Sequence, residues 1–351
     1  MSIVVVTGSS GLVGSETTRF FCDLGFNVIG IDNNLRMNFF GADGDTRKVK
    51  EEIIDLYPSE YRHFDLDIRN RDELRLIFTK FGSKIDLVVH AAAQPSHDWA
   101  ARDPHSDFEV NALGTLNLLE LVREYCPEAV FILMSTNKVY GDLPNSIDFI
   151  EGESRFSPKQ GSDFANFGIN EMFSLDQSTH SIFGVNKVHA DLMTQEYGRY
   201  FGIKTTCLRG GCLSGPSHKG AELHGFLSYL VKCSVMNRSY TIYGYKGKQV
   251  RDNLHSRDVA FAIWEIFQNP GKGEVFNLGG GIYSNTSILE AISFLKTLGF
   301  NLNYNVSDTP RTGDHKWWIS DISKFSTRYP NWSVTRNSFE IIEETISTIK
   351  G

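Results

Sequence analysis

From residue 3 to about Leu208, short apolar runs alternate with amphipathic stretches. Ile3, Val4, Val5 and Val6 predict a strand. Residues 15–24 carry apolar positions at helical spacing, and residues 27–31 return to a strand. Helices follow at 72–81 and 112–125, with strands at 87–91 and 130–134. Strands that are apolar without alternation are buried on both faces, as in a parallel sheet covered by helices. The expected class is therefore α/β, a doubly wound parallel sheet. The charged stretch 41–60 reads as an insertion after the second strand. Beyond Leu208 glycines and aromatics cluster and the helical stretches shorten. The expected division is a sheet domain over 1–207, to which 252–278 returns, and a smaller lobe from 208–251 and 279–351.

Composition narrows the partners. The 351 residues suffice for one large or two closely packed domains with a full core. A net charge of -7 gives no footprint for nucleic acid. No apolar run approaches the roughly 20 residues that cross a bilayer. The chain opens directly into its first strand without a leader-like segment. The five cysteines are odd in number and lack metal-ligand spacing, so buried thiols in a reducing cytosol are expected. These features predict a cytoplasmic protein with no metal, membrane or nucleic-acid partner.

The first strand runs into Thr7, Gly8, Ser9, Ser10, Gly11, Leu12, Val13 and Gly14, which open a helix. Gly8 permits a tight turn, Gly11 lets the backbone approach a pyrophosphate, and Gly14 lets helix and strand pack closely. The helix N-terminus presents free N–H groups to the phosphates. Asp32 ends the second strand 18 residues beyond Gly14. A carboxylate there accepts bonds from adenosine ribose hydroxyls and repels a 2′-phosphate, so NAD is expected over NADP. Asn33 follows Asp32, and Arg36 leaves some room for NADP.

The glycine spacing Gly-x-x-Gly-x-x-Gly resembles that of extended short-chain dehydrogenases, a Rossmann family, and further segments match in order. Asp67, Ile68 and Arg69 resemble the family's adenine-contacting segment. His90, Ala91, Ala92, Ala93 and Gln94 resemble its fourth-strand motif, and Asn111 through Thr115 the opening of its central helix. Ser135 through Gly141 resemble its fifth-strand motif. Leu208 and Arg209 through Pro216, Arg251 through Asp258, and Asn277 through Gly281 complete the set. The likeness runs from Val4 to about Asp321. Within the family the chain is most similar to CDP-paratose (tyvelose) 2-epimerases, through residues 135–142, residues 247–252 and the 46 residues between Thr136 and Phe183. The resemblance implies NAD-dependent inversion of a nucleoside-diphosphate sugar through a transient ketone, at C2. The 4-epimerases and the dehydratases or decarboxylases are the alternatives. Asn137 and Lys138 stand where dehydratases carry an acid pair, which ranks dehydration lower.

The resemblance also assigns roles. Thr136 corresponds to the residue that bonds the reacting hydroxyl, and Asn137 adjoins it. Lys187 corresponds to the lysine that binds the nicotinamide ribose and lowers the pKa of a neighbouring tyrosine. That tyrosine is Phe183 here, and a phenyl ring carries no proton. Three readings stand: another group is the base, the protein binds NAD and a sugar nucleotide without turnover, or the phenylalanine is an engineered change that disables the site. Lys138, His97 and Cys212 are the candidate bases. His97 is expected on the loop flanking the sugar, with a pKa suited to the task; its alternative is a surface residue capped by Asp98. For Lys138 the alternative is binding of a phosphate or hydroxyl, and for Cys212 it is packing. Arg251 and Arg311 are implied to hold the diphosphate or its ribose, Arg209 to touch the substrate, and the segment from Glu222 to Phe226 to lie at the base. Trp317 and Trp318 read as core. The helices 112–125 and 183–201 match the pair that forms a four-helix bundle in the family's homodimers.

Overall fold

Valine and isoleucine fill β1 (Ile3–Thr7), and all five of its residues are buried. In the computed structural model, which describes residues 2–222 and 224–351, it is an interior strand of a sheet with β2 (Asn27–Ile31), β3 (Tyr61–Phe64), β4 (Ile85–His90), β5 (Val130–Thr136), β6 (Lys204–Gly210) and β7 (Glu274–Leu278). The order is β7-β6-β5-β4-β1-β2-β3, with every pairing parallel. Alternation along β1 sends Val4 and Val6 into one core cluster and Ile3 and Val5 into the other. The chain winds outward in both directions from β1 and β4. That leaves a crevice at the strands' carboxyl ends, where such folds bind ligands.

The stretch 41–60 is a crossover and not an insertion. It contains α1's neighbour on the same face: α1 spans Leu12–Asp23 and α2 spans Arg47–Leu56, and α2 leads directly into β3. Parallel neighbours such as β2 and β3 need a crossover connection, usually helical. Only Val49 and Ile53 of α2 are buried, so its charged residues mask the apolar stripe. The same masking hid β3, which carries Arg62 and His63.

The helices on the other face are α3 (Arg71–Phe81), α4 (Gly114–Tyr125) and α5 (Ile182–Phe201). After β6 the chain makes α6 (Phe226–Val235) and the strand Val250–His255, which pairs with Cys212–Ser214, Asn285–Ser287 and Trp317–Trp318. Helix α7 (Ser256–Gln268) then returns to the main body, where Trp264 packs on Phe21 of α1 with ring centroids 6.1 Å apart. The expected lobe boundary at 279 needs amendment. Phe325 lies edge-on to Phe276 of β7 at 5.3 Å, and Tyr329 and Trp332 join the same core. The residues between Thr136 and Phe183 include a hairpin, Phe149–Glu151 with Phe156–Pro158, and pack on a cluster around Tyr140, Val250 and Trp318.

Candidate active site

A continuous cavity of about 410 Å³ follows the carboxyl ends of the sheet and reaches into the smaller lobe. Gly8, Gly11, Leu12, Val13 and Gly14 line one end. Gly8 has φ +68°, and a Cβ there would lie 2.7 Å from the Ala92 nitrogen, so the turn is pressed against the end of β4. A Cβ at Gly14 would collide with the Gly8 carbonyl oxygen. Helix α1 therefore enters directly over the loop, beginning at Leu12 and not at 15. Asp32 accepts the Ser10 N–H at 3.0 Å and the Asn34 N–H at 2.8 Å, which fixes its carboxylate at the loop's edge. Asn33 bonds Asp67 at 3.1 Å, and Asp67, Ile68, Ala91, Ala92 and Ala93 continue the wall. A free helix N-terminus, side-chain-free turns and a strand-end carboxylate fit the adenosine diphosphate half of NAD.

Three expected cofactor residues stand behind this wall. Gln94 and Asn111 bond each other's backbone or side chain at 2.9–3.1 Å and both donate to the buried Asp107. Ser10 is buried beside the turn and contributes its backbone N–H to Asp32. Ser135 lines the cavity, but its hydroxyl donates to Asp191 at 2.6 Å. Arg36 lines the cavity and reaches across it, donating to the Lys219 carbonyl at 2.7 Å.

The middle of the cavity gathers Thr136, Asn137, Lys138, Phe183, Lys187 and His97. Thr136 ends β5, and its hydroxyl oxygen accepts the Lys138 N–H at 3.2 Å. Lys187, on the first turns of α5, donates to the Met134 carbonyl at 2.9 Å, and burial lowers its pKa to about 8. Lys138 donates from Nζ to the Gly313 carbonyl at 3.0 Å; burial, then the charge of Arg251, lowers it to about 8 as well. Two other expectations change here. His97 begins a short helix, His97–Arg102, and burial followed by the Lys138 charge lowers its pKa to about 3. The imidazole is thus neutral and too weak a base for the role its unperturbed pKa implied. Burial raises the Cys212 thiol to about 11, which keeps it protonated.

At the far end Arg251 pairs with Asp314, and Arg311 joins them in the wall. Burial would push Asp314 up, but Arg251, Arg311 and Lys138 hold it well below the usual carboxylate range. Even with Lys138 as the free amine, two guanidinium groups beside one carboxylate leave an excess of positive charge that suits a diphosphate. Arg209 is elsewhere. It sits in the core, bidentate on Asp191 at 2.8 and 3.1 Å and bonded to the Tyr140 hydroxyl at 3.0 Å. Glu222 is exposed and accepts from the Tyr243 hydroxyl at 2.9 Å, outside the cavity wall; Leu223 lies outside the described residues. Trp317 and Trp318 are core. His224, Gly225 and Phe226 of the segment expected at the base do line this end; sequence reasoning missed His218, whose ring lies 5.8 Å from that of His224. The glycines at 215 and 220 that bracket it were the available signal.

Comparison with known proteins bears on this geometry. The model of the NAD dependent epimerase/dehydratase family matches residues 4–279. The CDP-paratose 2-epimerase of Salmonella typhi is 32% identical over 338 residues, 94% of each chain. The Thermus thermophilus UDP-glucose 4-epimerase in complex with NAD superposes with a TM-score of 0.79 at 23% identity, over 99% of both chains. A tyrosine-to-phenylalanine mutant of the Bacillus cereus UDP-glucuronic acid 4-epimerase, in complex with UDP-4-deoxy-4-fluoro-glucuronic acid and NAD, superposes with a TM-score of 0.77 at 25% identity, again over 99% of both.

Proposed function

The chain belongs to the NAD dependent epimerase/dehydratase family, and from that premise we propose that it epimerises a nucleoside-diphosphate sugar through a transient keto-sugar, at C2. The observation that carries the reading is the continuity of one cavity from the glycine turn and Asp32, past Thr136 and Lys138, to Arg251 and Arg311. Its lining presents, in order, the groups that a dinucleotide and then a sugar diphosphate would require. The likeness to a CDP-paratose 2-epimerase over 94% of the chain favours C2 over C4. Asn137 and Lys138 in place of an acid pair argue against elimination.

NAD, when bound, supplies the reversible oxidation at the sugar carbon. Gly8, Gly11 and the α1 N-terminus hold its pyrophosphate, Asp32 its adenosine ribose, and Lys187 its nicotinamide ribose. Arg251 and Arg311 hold the sugar's diphosphate. The Thr136 hydroxyl has its own proton only loosely engaged, by Asn137 at 3.4 Å, and so can donate to a sugar oxygen. The free amine of Lys138 takes the hydroxyl proton as the ketone forms and returns it after the sugar has presented its other face. A lysine with a pKa of about 8 has a sizeable neutral fraction near pH 7–8, which an ordinary lysine lacks.

Proton NMR in deuterated water, with NAD and a panel of CDP-, UDP- and GDP-sugars, tests this. The expected product is an inverted sugar without solvent deuterium on carbon. Deuterium on carbon would point to enolisation, and no conversion across the panel would favour a binding protein.

The reading includes a homodimer and a cytoplasmic location. Ile182, Val185 and Leu192 on α5 are exposed along one side, as a bundle seam requires. Cys22, Cys126, Cys207 and Cys233 are buried free thiols, which suits a reducing compartment. Among the described residues no helix is long and apolar enough to cross a membrane.

A further inference from the structure

The hydroxyl of Ser181 has two partners among the described residues. It accepts the Gly184 N–H at 3.1 Å, which caps α5, and it lies 2.7 Å from Nδ1 of His97. A serine hydroxyl has one proton to donate, and the imidazole nitrogen is the acceptor within its reach. The arrangement that satisfies both groups puts the proton on Oγ, aimed at Nδ1, so Nδ1 is bare and Nε2 carries the ring's hydrogen. The opposite tautomer would make Oγ accept twice and leave its own proton without a protein acceptor.

No described residue bonds Nε2, and the ring lines the cavity. The imidazole packs edge-on to Phe183 with centroids 4.9 Å apart. On another side it abuts Gly313, where a Cβ would come within 2.9 Å of Cε1. The Gly313 carbonyl is the one that holds Lys138 Nζ at 3.0 Å. His97, Lys138 and the Phe183 ring are therefore gathered about one part of the cavity, and Phe183 brings no hydrogen-bonding atom to it. Burial keeps the imidazole neutral through the whole working range of pH.

We propose that His97 donates a hydrogen bond from Nε2–H to the sugar oxygen at the reacting carbon, and that Ser181 is the positioning residue that fixes this tautomer. The proposal rests on the epimerase reading above. The sugar's hydroxyl proton passes to Lys138, while the hydrogen on Nε2 stays in place and stabilises the oxygen as it becomes a carbonyl and back. Removing one donor of this kind costs roughly 10²–10³ in kcat.

The test uses full-length protein with 15N-labelled histidine. Long-range 1H–15N NMR identifies the tautomer of His97 without substrate, and turnover is measured in parallel with NAD and the sugar that the wild type converts. Ser181→Thr keeps both the cap and the hydroxyl proton. Ser181→Asp keeps the cap but its carboxylate has no proton to give, so Nδ1 takes a hydrogen; because the carboxylate also raises the imidazole's pKa, tautomer and turnover are compared at a pH where the 15N shifts show a single hydrogen on the ring. The expected result is an Nε2–H ring in the wild type and Ser181→Thr, an Nδ1–H ring in Ser181→Asp, and a kcat about 10²-fold lower in Ser181→Asp with KM within a few-fold. An Nδ1–H ring in the wild type overturns the proposal, as does a Ser181→Asp variant that switches tautomer and keeps wild-type turnover. Should Ser181→Asp not fold, His97→Gln, which retains an N–H donor, is compared with His97→Leu; equal losses overturn the proposal. A wild type that converts no sugar removes the epimerase reading and the role of His97 together, whereas the substrate-free tautomer separates that failure from a wrong assignment of the ring.

Discussion

The imidazole of His97 meets the phenyl ring of Phe183 edge to face, 4.9 Å apart with planes at 64°. Phe183 is 6% exposed and lines the cavity, so its ring is part of the wall. If the proton travels through Lys138, restoring a phenol adds a second route to a working one. Phe183→Tyr is then expected to change kcat by less than about tenfold. A general acid–base group is worth roughly 10²–10⁴, so a gain of that size in steady-state assays would mean that the native site is disabled.

Lys138 carries the complementary prediction. Lys138→Met should lower turnover by about 10²–10⁴ while NAD stays bound, because the dinucleotide turn lies at the other end of the cavity. Burial and Arg251 depress the ammonium to about 8. With the free amine as the proposed base, wild-type kcat should rise with pH and level off above an inflection near 8. A flat profile from about pH 6 to 9, or an active Lys138→Met enzyme, would remove Lys138 as the base.

The two arginines Arg209 and Arg251 looked alike in the sequence and should fail differently. Arg209 is buried on Asp191, which no other basic side chain bonds among the described residues. Arg209→Leu leaves that carboxylate buried and uncompensated, a loss of about 3–5 kcal/mol readable in urea denaturation. Arg251 borders the cavity. Arg251→Ala should raise KM for the sugar nucleotide and, by removing a charge that depresses Lys138, move the kcat inflection to higher pH, with little loss of stability. A stable Arg209→Leu protein with a raised KM would instead return Arg209 to the binding site.

The contrast between those arginines shows what the sequence could and could not carry. Local pattern was enough for the strands β1, β2, β4 and β5 and for the glycine turn, because burial on both faces and φ > 0 each demand particular residue types. It failed at α2 and β3, where Val49 and Ile53 are the helix's sole buried residues amid charge. Motif order brought Thr136, Lys138, Lys187, Arg251 and Arg311 to one cavity. It could not tell which way a side chain faces. Gln94, Asn111 and Arg209 point into buried networks, with Asp107 and Asp191 as their hubs. Nor could it read an environment. The pKa of His97 falls because of burial and Lys138, 41 positions along the chain.

The exposed side of α5 gives the last prediction. Ile182, Val185 and Leu192 are 42, 51 and 44% exposed, and their spacings of three and seven put them along one side of the helix. Phe108 and Leu113, just ahead of α4, are exposed as well. Monomeric proteins rarely leave a contiguous apolar strip uncovered, and two copies joined along α4 and α5 would bury it as a four-helix seam. Val185→Asp combined with Leu192→Asp places charges in that seam but on the surface of an isolated chain. The double variant should therefore run as a monomer in light scattering while the wild type runs as a dimer, with little change in the monomer's circular dichroism. A wild type that is monomeric at high concentration, or a variant that remains a dimer, would place the subunit contact elsewhere or remove it.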